Sequence, residues 1–218
     1  MRILLLILLA SAIIGCKKNV EFPAEIRPNE FWVQYSITND TGITTDEYYQ
    51  GEDTVTLTNV HNALASLDYF TFEAIQGNVK EITAGLADFL AGVPISVRIK
   101  SPDLVTDPNT PEQWTAAELE RLLYPGKTFA YGDAPGEVLL KLEGYPNRPW
   151  ACTSSTATNQ NGYFEVLEIS DYGAPEIGIP YFGKKVHIKF AGPLTNDSGN
   201  TWTLQNGEAV LFFRYYTF

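Results

Sequence analysis

Residues 163–169 read YFEVLEI and residues 184–190 read KKVHIKF, and this alternation decides the fold class. Successive side chains of a strand point to opposite faces, so Val186 and Ile188 share one side. His187 falls with Lys185 and Lys189 on the more polar side. The same period continues through residues 201–205, TWTLQ, and through EAVLFFRYYTF at 208–218. Asn206-Gly207 separates these two runs, and that dipeptide predicts a type I′ hairpin turn. The last run is apolar on both faces, with Leu211, Phe213 and Tyr215 on one and Val210, Phe212 and Tyr216 on the other. Such a segment is a central strand or one covered by a helix.

Working outward, FWVQYSIT at 31–38 puts Phe31, Val33, Tyr35 and Ile37 on one face. Further strands are expected at 53–60, 67–75, 95–100 and 136–144, while DEYY at 46–49 reads as a loop or an edge. Residues 78–91 are ambiguous between helix and strand: Val79, Ile82, Leu86, Phe89 and Leu90 follow helical spacing, but Gly85 costs such a helix about 1 kcal/mol relative to Ala. The clearer helix is predicted over 111–124. Thr110 would be its N-cap, Pro111 and Glu112 would occupy its first turn, and Trp114, Leu119, Leu122 and Leu123 would form its apolar stripe. Pro125-Gly126 would end it. The sum is a mainly-β chain: an antiparallel β-sandwich with one or two inserted short helices, forming a single domain over residues 30–218.

Composition agrees. Twelve Tyr and twelve Phe suit pleated, half-buried surfaces, and seventeen Gly with thirteen Pro supply turns. The formal net charge is −11, which excludes nucleic acid as a partner, since its recognition selects basic surfaces.

The chemistry-bearing residues are sparse. His61 and His187 stand in no metal-ligand spacing, no G-x-S-x-G elbow nominates a serine, and P-loop and dinucleotide glycine signatures are absent. No cofactor is expected. Glu165 with Glu168, and Glu118 with Glu120, are the carboxylate pairs that glycoside hydrolysis would need. Asp103, Asp107, Asn109 and Glu112 form an oxygen-rich stretch of the kind that binds Ca²⁺, but without the EF-hand spacing. YPNRPW at 145–150 offers a ligand-binding loop. Tyr145 and Trp150 beside Arg148 can stack on a sugar ring or anchor a protein partner, or the aromatics can fold back over one end of the sandwich.

The amino end carries an address. Arg2 precedes twelve apolar or small residues, too few to cross a bilayer core, which takes about twenty. That is the form of a cleaved secretory signal over residues 1–15. Ile13-Ile14-Gly15-Cys16 resembles the lipobox of bacterial lipoproteins. The resemblance implies that Cys16 becomes the acylated first residue, with residues 16–29 as a lipidated tether and acyl chains as the membrane attachment. Lipidation would leave Cys152 as a lone thiol, expected to be a buried small apolar residue. Lys17 after the cysteine implies the outer membrane by family analogy. The carboxy-terminal block, from GYFEVLEI to QNGEAVLFFRY, is similar to uncharacterised Bacteroidetes lipoproteins of β-sandwich type. That likeness implies a fold and no activity. The expectation is a non-enzymatic, lipid-anchored binding or accessory module of the cell envelope, for a glycan or an envelope protein. A fimbrial or adhesin-type subunit and a glycoside hydrolase are the alternatives.

Overall fold

The computed structural model describes residues 31–39, 41–51, 57–59, 63–64, 67–88, 92–107, 109–143, 151–154, 162–175, 180–196 and 199–216. Among these residues strands dominate, forming two antiparallel sheets with one short helix, as the alternation requires. The strands are β1 (Phe31–Thr38), β2 (Thr44–Gly51), β3 (Leu57–Asn59), β4 (Ala63–Leu64), β5 (Leu67–Gln76), β6 (Val79–Asp88) and β7 (Gly92–Leu104). Helix α1 (Ala116–Leu122) follows, then β8 (Thr128–Phe129), β9 (Val138–Glu143), β10 (Ala151–Ser154), β11 (Tyr163–Pro175), β12 (Pro180–Asn196) and β13 (Thr201–Tyr215).

One layer runs β4-β3-β2-β1-β13-β12-β11-β8, and the other runs β10-β9-β7-β6-β5. They are joined at β12, which pairs with β11 up to Ala191 and with β10 from Leu194 to Asn196. Gly192 sits at this change of partners with φ 142°, a backbone conformation that suits glycine alone. A Cβ there would also lie 2.8 Å from Gly162 Cα. β13 packs across onto β5 and β6, and the core lies between the layers. Ile82, Ala84 and Leu86 of β6, Ile95, Val97 and Ile99 of β7, and Val138, Leu140 and Leu142 of β9 form one wall. Val33, Tyr35, Ile37, Val186, Ile188, Phe190, Ala209, Leu211 and Phe213 form the other. The expected central position of the last strand holds, because β13 lies between β1 and β12.

Four readings meet the structure here, the first and third left open by the sequence and the second and fourth needing correction. Residues 79–88 are a strand, not a helix, paired along their length with β5 and β7. Their helical spacing was a coincidence of Val79, Ile82 and Leu86, and the local hairpin decides. Gly77, with φ 64°, sits in a two-residue Gly-Asn turn that sets Gln76 opposite Val79. The remaining helix starts at Ala116, with Thr115 rather than Thr110 as N-cap, because Thr115 and Glu118 form a reciprocal capping box. Residues 46–49 lie inside β2, paired to β1 from Tyr49 opposite Val33 to Asp46 opposite Ser36.

The fourth concerns Asn206-Gly207, which makes no hairpin. β13 runs straight through it, and both neighbours shift register there: Gln34 faces Glu208 while Ser36 faces Gln205, and Phe190 faces Gly207 while Gly192 faces Leu204. Asn206, with φ 52°, is the extra residue of a β-bulge. Gly207 is required beside it, since a Cβ would meet the Phe190 ring at 2.3 Å and the Phe190 carbonyl oxygen at 2.5 Å. A left-handed residue followed by glycine serves a bulge as well as a turn, and the strands on both sides select the bulge.

Candidate functional site

The expected binding loop, Tyr145, Arg148 and Trp150, lies outside the described residues, as do Cys16 and His61. Cys152 is described by its backbone alone, opposite Leu142 in the β9–β10 ladder. What the structure assembles is a different place, the end of the sandwich closed by α1.

The helix seats Leu119, Leu122 and Leu123 in the core, with Trp114 before it. Trp114 Nε1 donates to the Glu81 carbonyl at 3.1 Å, and the Tyr216 N–H donates to the Trp114 carbonyl at 2.8 Å, so the segment is tied to β6 and to the residue after β13. Two inward-facing lysines complete the attachment, one from each layer. Lys80 of β6 reaches the Gln113 carbonyl at 2.5 Å and both oxygens of Glu118 at 3.0 Å, with the Trp114 ring 5.1 Å away. Lys184 of β12 reaches Glu120 at 2.5 Å and Asp171 at 2.7 Å. Glu118 and Glu120 therefore engage opposite layers and do not converge as a hydrolytic pair.

Glu118 is further fixed by the Thr115 N–H at 2.7 Å and the Thr115 hydroxyl at 2.9 Å. Burial works against its charge, but the donors from Thr115 and Lys80 outweigh it and hold the carboxyl below its ordinary range. Lys184 is likewise opposed by burial, yet its hydrogen bonds to Asp171 and Glu120 keep its pKa above the usual value. Deeper in, Glu73 of β5 is 5% exposed, and Arg214 Nε lies 3.9 Å from its Oε1. Burial pushes the Glu73 carboxyl up to about 7, against the opposing fields of Arg214 and Lys80. Two residues earlier, Thr71 donates to the Phe212 carbonyl at 2.8 Å and closes β5 onto β13.

Beside α1 the surface opens into a cleft of about 160 Å³. The end of β7 contributes Ser101, Pro102 and Asp103, and the helical segment contributes Trp114, Glu118, Arg121 and Leu122. Arg121 Nη2 lies 2.7 Å from Asp103 Oδ2 across the rim. The Asp103 backbone N–H donates to Ser101 Oγ at 3.1 Å, which steadies that wall. Between β12 and β13, Phe182 and Tyr215 stack with centroids 6.5 Å apart, and Phe182 is partly exposed.

The remaining expected residues are placed as follows. His187 lies on the outer face of β12, its Nε2 2.7 Å from Glu208 Oε1, with Gln34 Nε2 donating to the other Glu208 oxygen at 2.8 Å. Glu165 pairs with Lys189 at 2.9 Å. Asp107 accepts from the Asn109 backbone and side chain, an ordinary turn. Among the described residues no group of three or more His, Cys, Asp or Glu is placed to hold a metal ion. Among them, too, no helix is long and apolar enough to cross a membrane, which leaves β-barrels unaddressed.

Sequence reasoning singled out Asp103 and Glu118 for other roles and missed Lys80, Lys184 and Arg121. Strand parity carries the signal for the lysines: Lys80 falls in phase with Ile82, and Lys184 with Val186. No family model matches the chain, and no curated protein or solved structure matches it significantly.

Proposed function

We propose that this chain is a lipid-anchored binding or accessory module of the bacterial cell envelope, moored to the outer membrane through Cys16 and non-enzymatic. Its ligand is a glycan or an envelope protein. The anchor rests on the lipobox resemblance, and the acidic net charge makes acyl chains the attachment rather than electrostatic docking on anionic lipid. The observation that carries the binding role is the helix-closed end. A rigid frame, tied to both layers by Lys80 and Lys184, presents a solvent-facing cleft beside exposed polar side chains.

Two measurements test the reading. Mass spectrometry of the protein from its membrane fraction should find an acylated Cys16, and a free thiol there, with the chain recovered from the medium, sinks the placement. Glycan-array and pull-down screening of the full chain should return a saturable partner. Turnover of glycosides or esters by purified protein, lost on substituting a buried carboxylate, overturns the non-enzymatic part.

A further inference from the structure

The cleft beside α1 has features that select among ligands, and the selection rests on the binding-module reading above. Its floor is apolar, with Trp114 and Leu122 almost wholly buried beneath it. Its charges are balanced: Arg121 against Asp103 at the rim, and the lining Glu118 against the buried Lys80 behind it. At about 160 Å³ it has room for roughly five waters at about 30 Å³ each. That is below the roughly 300–1,000 Å³ of a site that swallows a drug-sized molecule. It accommodates one ring, not a chain.

The closed Arg121–Asp103 pair decides the chemistry. A guanidinium carries five N–H donors and a carboxylate two oxygens with about four acceptor sites. The single Arg121–Asp103 contact, on side chains 71% and 62% exposed, therefore leaves donors and acceptor sites for a ligand. A ligand carrying neighbouring hydroxyls accepts from the guanidinium and donates to the carboxylate while leaving the pair intact. A charged ligand must break the pair to be held, and must shed its own hydration as well. Glu118 has little left to offer a cation, because Lys80 and Thr115 already engage its oxygens. The apolar floor meets the C–H face of the ring.

We propose that this cleft is a subsite for one neutral polyol ring, the terminal uncharged sugar of a glycan, oriented by Arg121 and Asp103 over Trp114 and Leu122. Both orienting side chains are more than half exposed, at 71% and 62%, so their substitution leaves the fold intact. The test follows the indole N–H resonance of Trp114 in the ¹⁵N-labelled full chain, assigned with Trp114→Phe. The probes are the methyl glycosides of glucose, galactose, mannose and N-acetylglucosamine, with leucine and glucuronate as charged controls.

At least one neutral glycoside should shift this resonance saturably, and Arg121→Gln and Asp103→Asn should each weaken its apparent Kd tenfold or more. Silence from every neutral glycoside overturns the proposal, as does binding unchanged in both variants or a tighter response to a charged control. Equal retention of one array glycan by wild type and both variants removes the cleft assignment and leaves the module reading standing. Failure of the array and the pull-down together removes both.

Discussion

Lys80 and Lys184 are equally buried, each 5% exposed, and each holds a glutamate of the same helix, yet their surroundings differ. Lys80 meets a partly buried Glu118 that Thr115 also holds, a backbone carbonyl and an indole ring. Lys184 meets Glu120 and Asp171, which are 58% and 78% exposed. The contrast teaches that an ion pair's contribution depends on where its partners go when it is removed. Without Lys184 the two carboxylates return to water, whereas without Lys80 a partly buried carboxylate and a carbonyl lose their strongest donor.

The largest expected effect is therefore at Lys80. Lys80→Met should destabilise the fold by about 3 kcal/mol, at the lower end for breaking a buried pair because Glu118 is partly exposed. Urea denaturation at pH 7 reads it, and a loss under 1 kcal/mol erases the contrast.

Glu73 sharpens the comparison through pH. Its folded-state pKa, about 7, lies above the ordinary carboxyl value of 4.5, so its contribution is fully present below pH 4.5 and fades as pH rises through 7. Glu118 has the opposite sign. Its lowered pKa gives stability present above the ordinary carboxyl range and lost as pH falls through the folded value. Glu73→Gln should stabilise the protein at pH 8 by roughly 2 kcal/mol and flatten the decline in Tm between pH 5 and pH 8. A variant whose profile still falls in that window places the titrating group elsewhere.

Thr115→Ala removes the cap and one anchor of Glu118, at a cost of about 1 kcal/mol in thermal or chemical melts. Lys184→Met should cost less, about 0.5 kcal/mol, and the difference from wild type should shrink at 1 M NaCl. A salt-insensitive loss as large as that at Lys80 would make the two sites alike.

The strands with clean alternation were legible because burial on one face imposes period two. Residues 184–190 read correctly for that reason, as do 163–166 before the register shift between Val166 and Glu168, and the apolar faces of β13 agree with its central place. The reading stayed open, or went astray, where two local codes share residues. Val79, Ile82 and Leu86 satisfy a helical stripe, while only Ile82 and Leu86, with Ala84 between them, line the core face of β6. Ala84 is too small to raise the alternation above the competing pattern. Thr110-Pro111 is a good helix opening, but Thr115 and Glu118 offer two reciprocal bonds where it offers one.

The site was less legible than the fold. Asp103 and Arg121 are eighteen positions apart and meet only because α1 folds back across the end of β7, a tertiary event without local spacing. Lys80 and Lys184 break the rule that charges face outward, and their reason, the two helix glutamates, becomes visible only once the helix is seated.

The antiparallel neighbours β1 and β13 place Phe31 beside the late residues of β13, next to the Trp32–Val210 pair, so both strand ends emerge on the same side of the molecule. A force drawn between them loads the ladder one rung at a time, as a zipper is pulled, instead of shearing all its hydrogen bonds together. Stretched by its two ends, the domain should give way at the β1–β13 pairing, working inward until it reaches the bulge at Asn206.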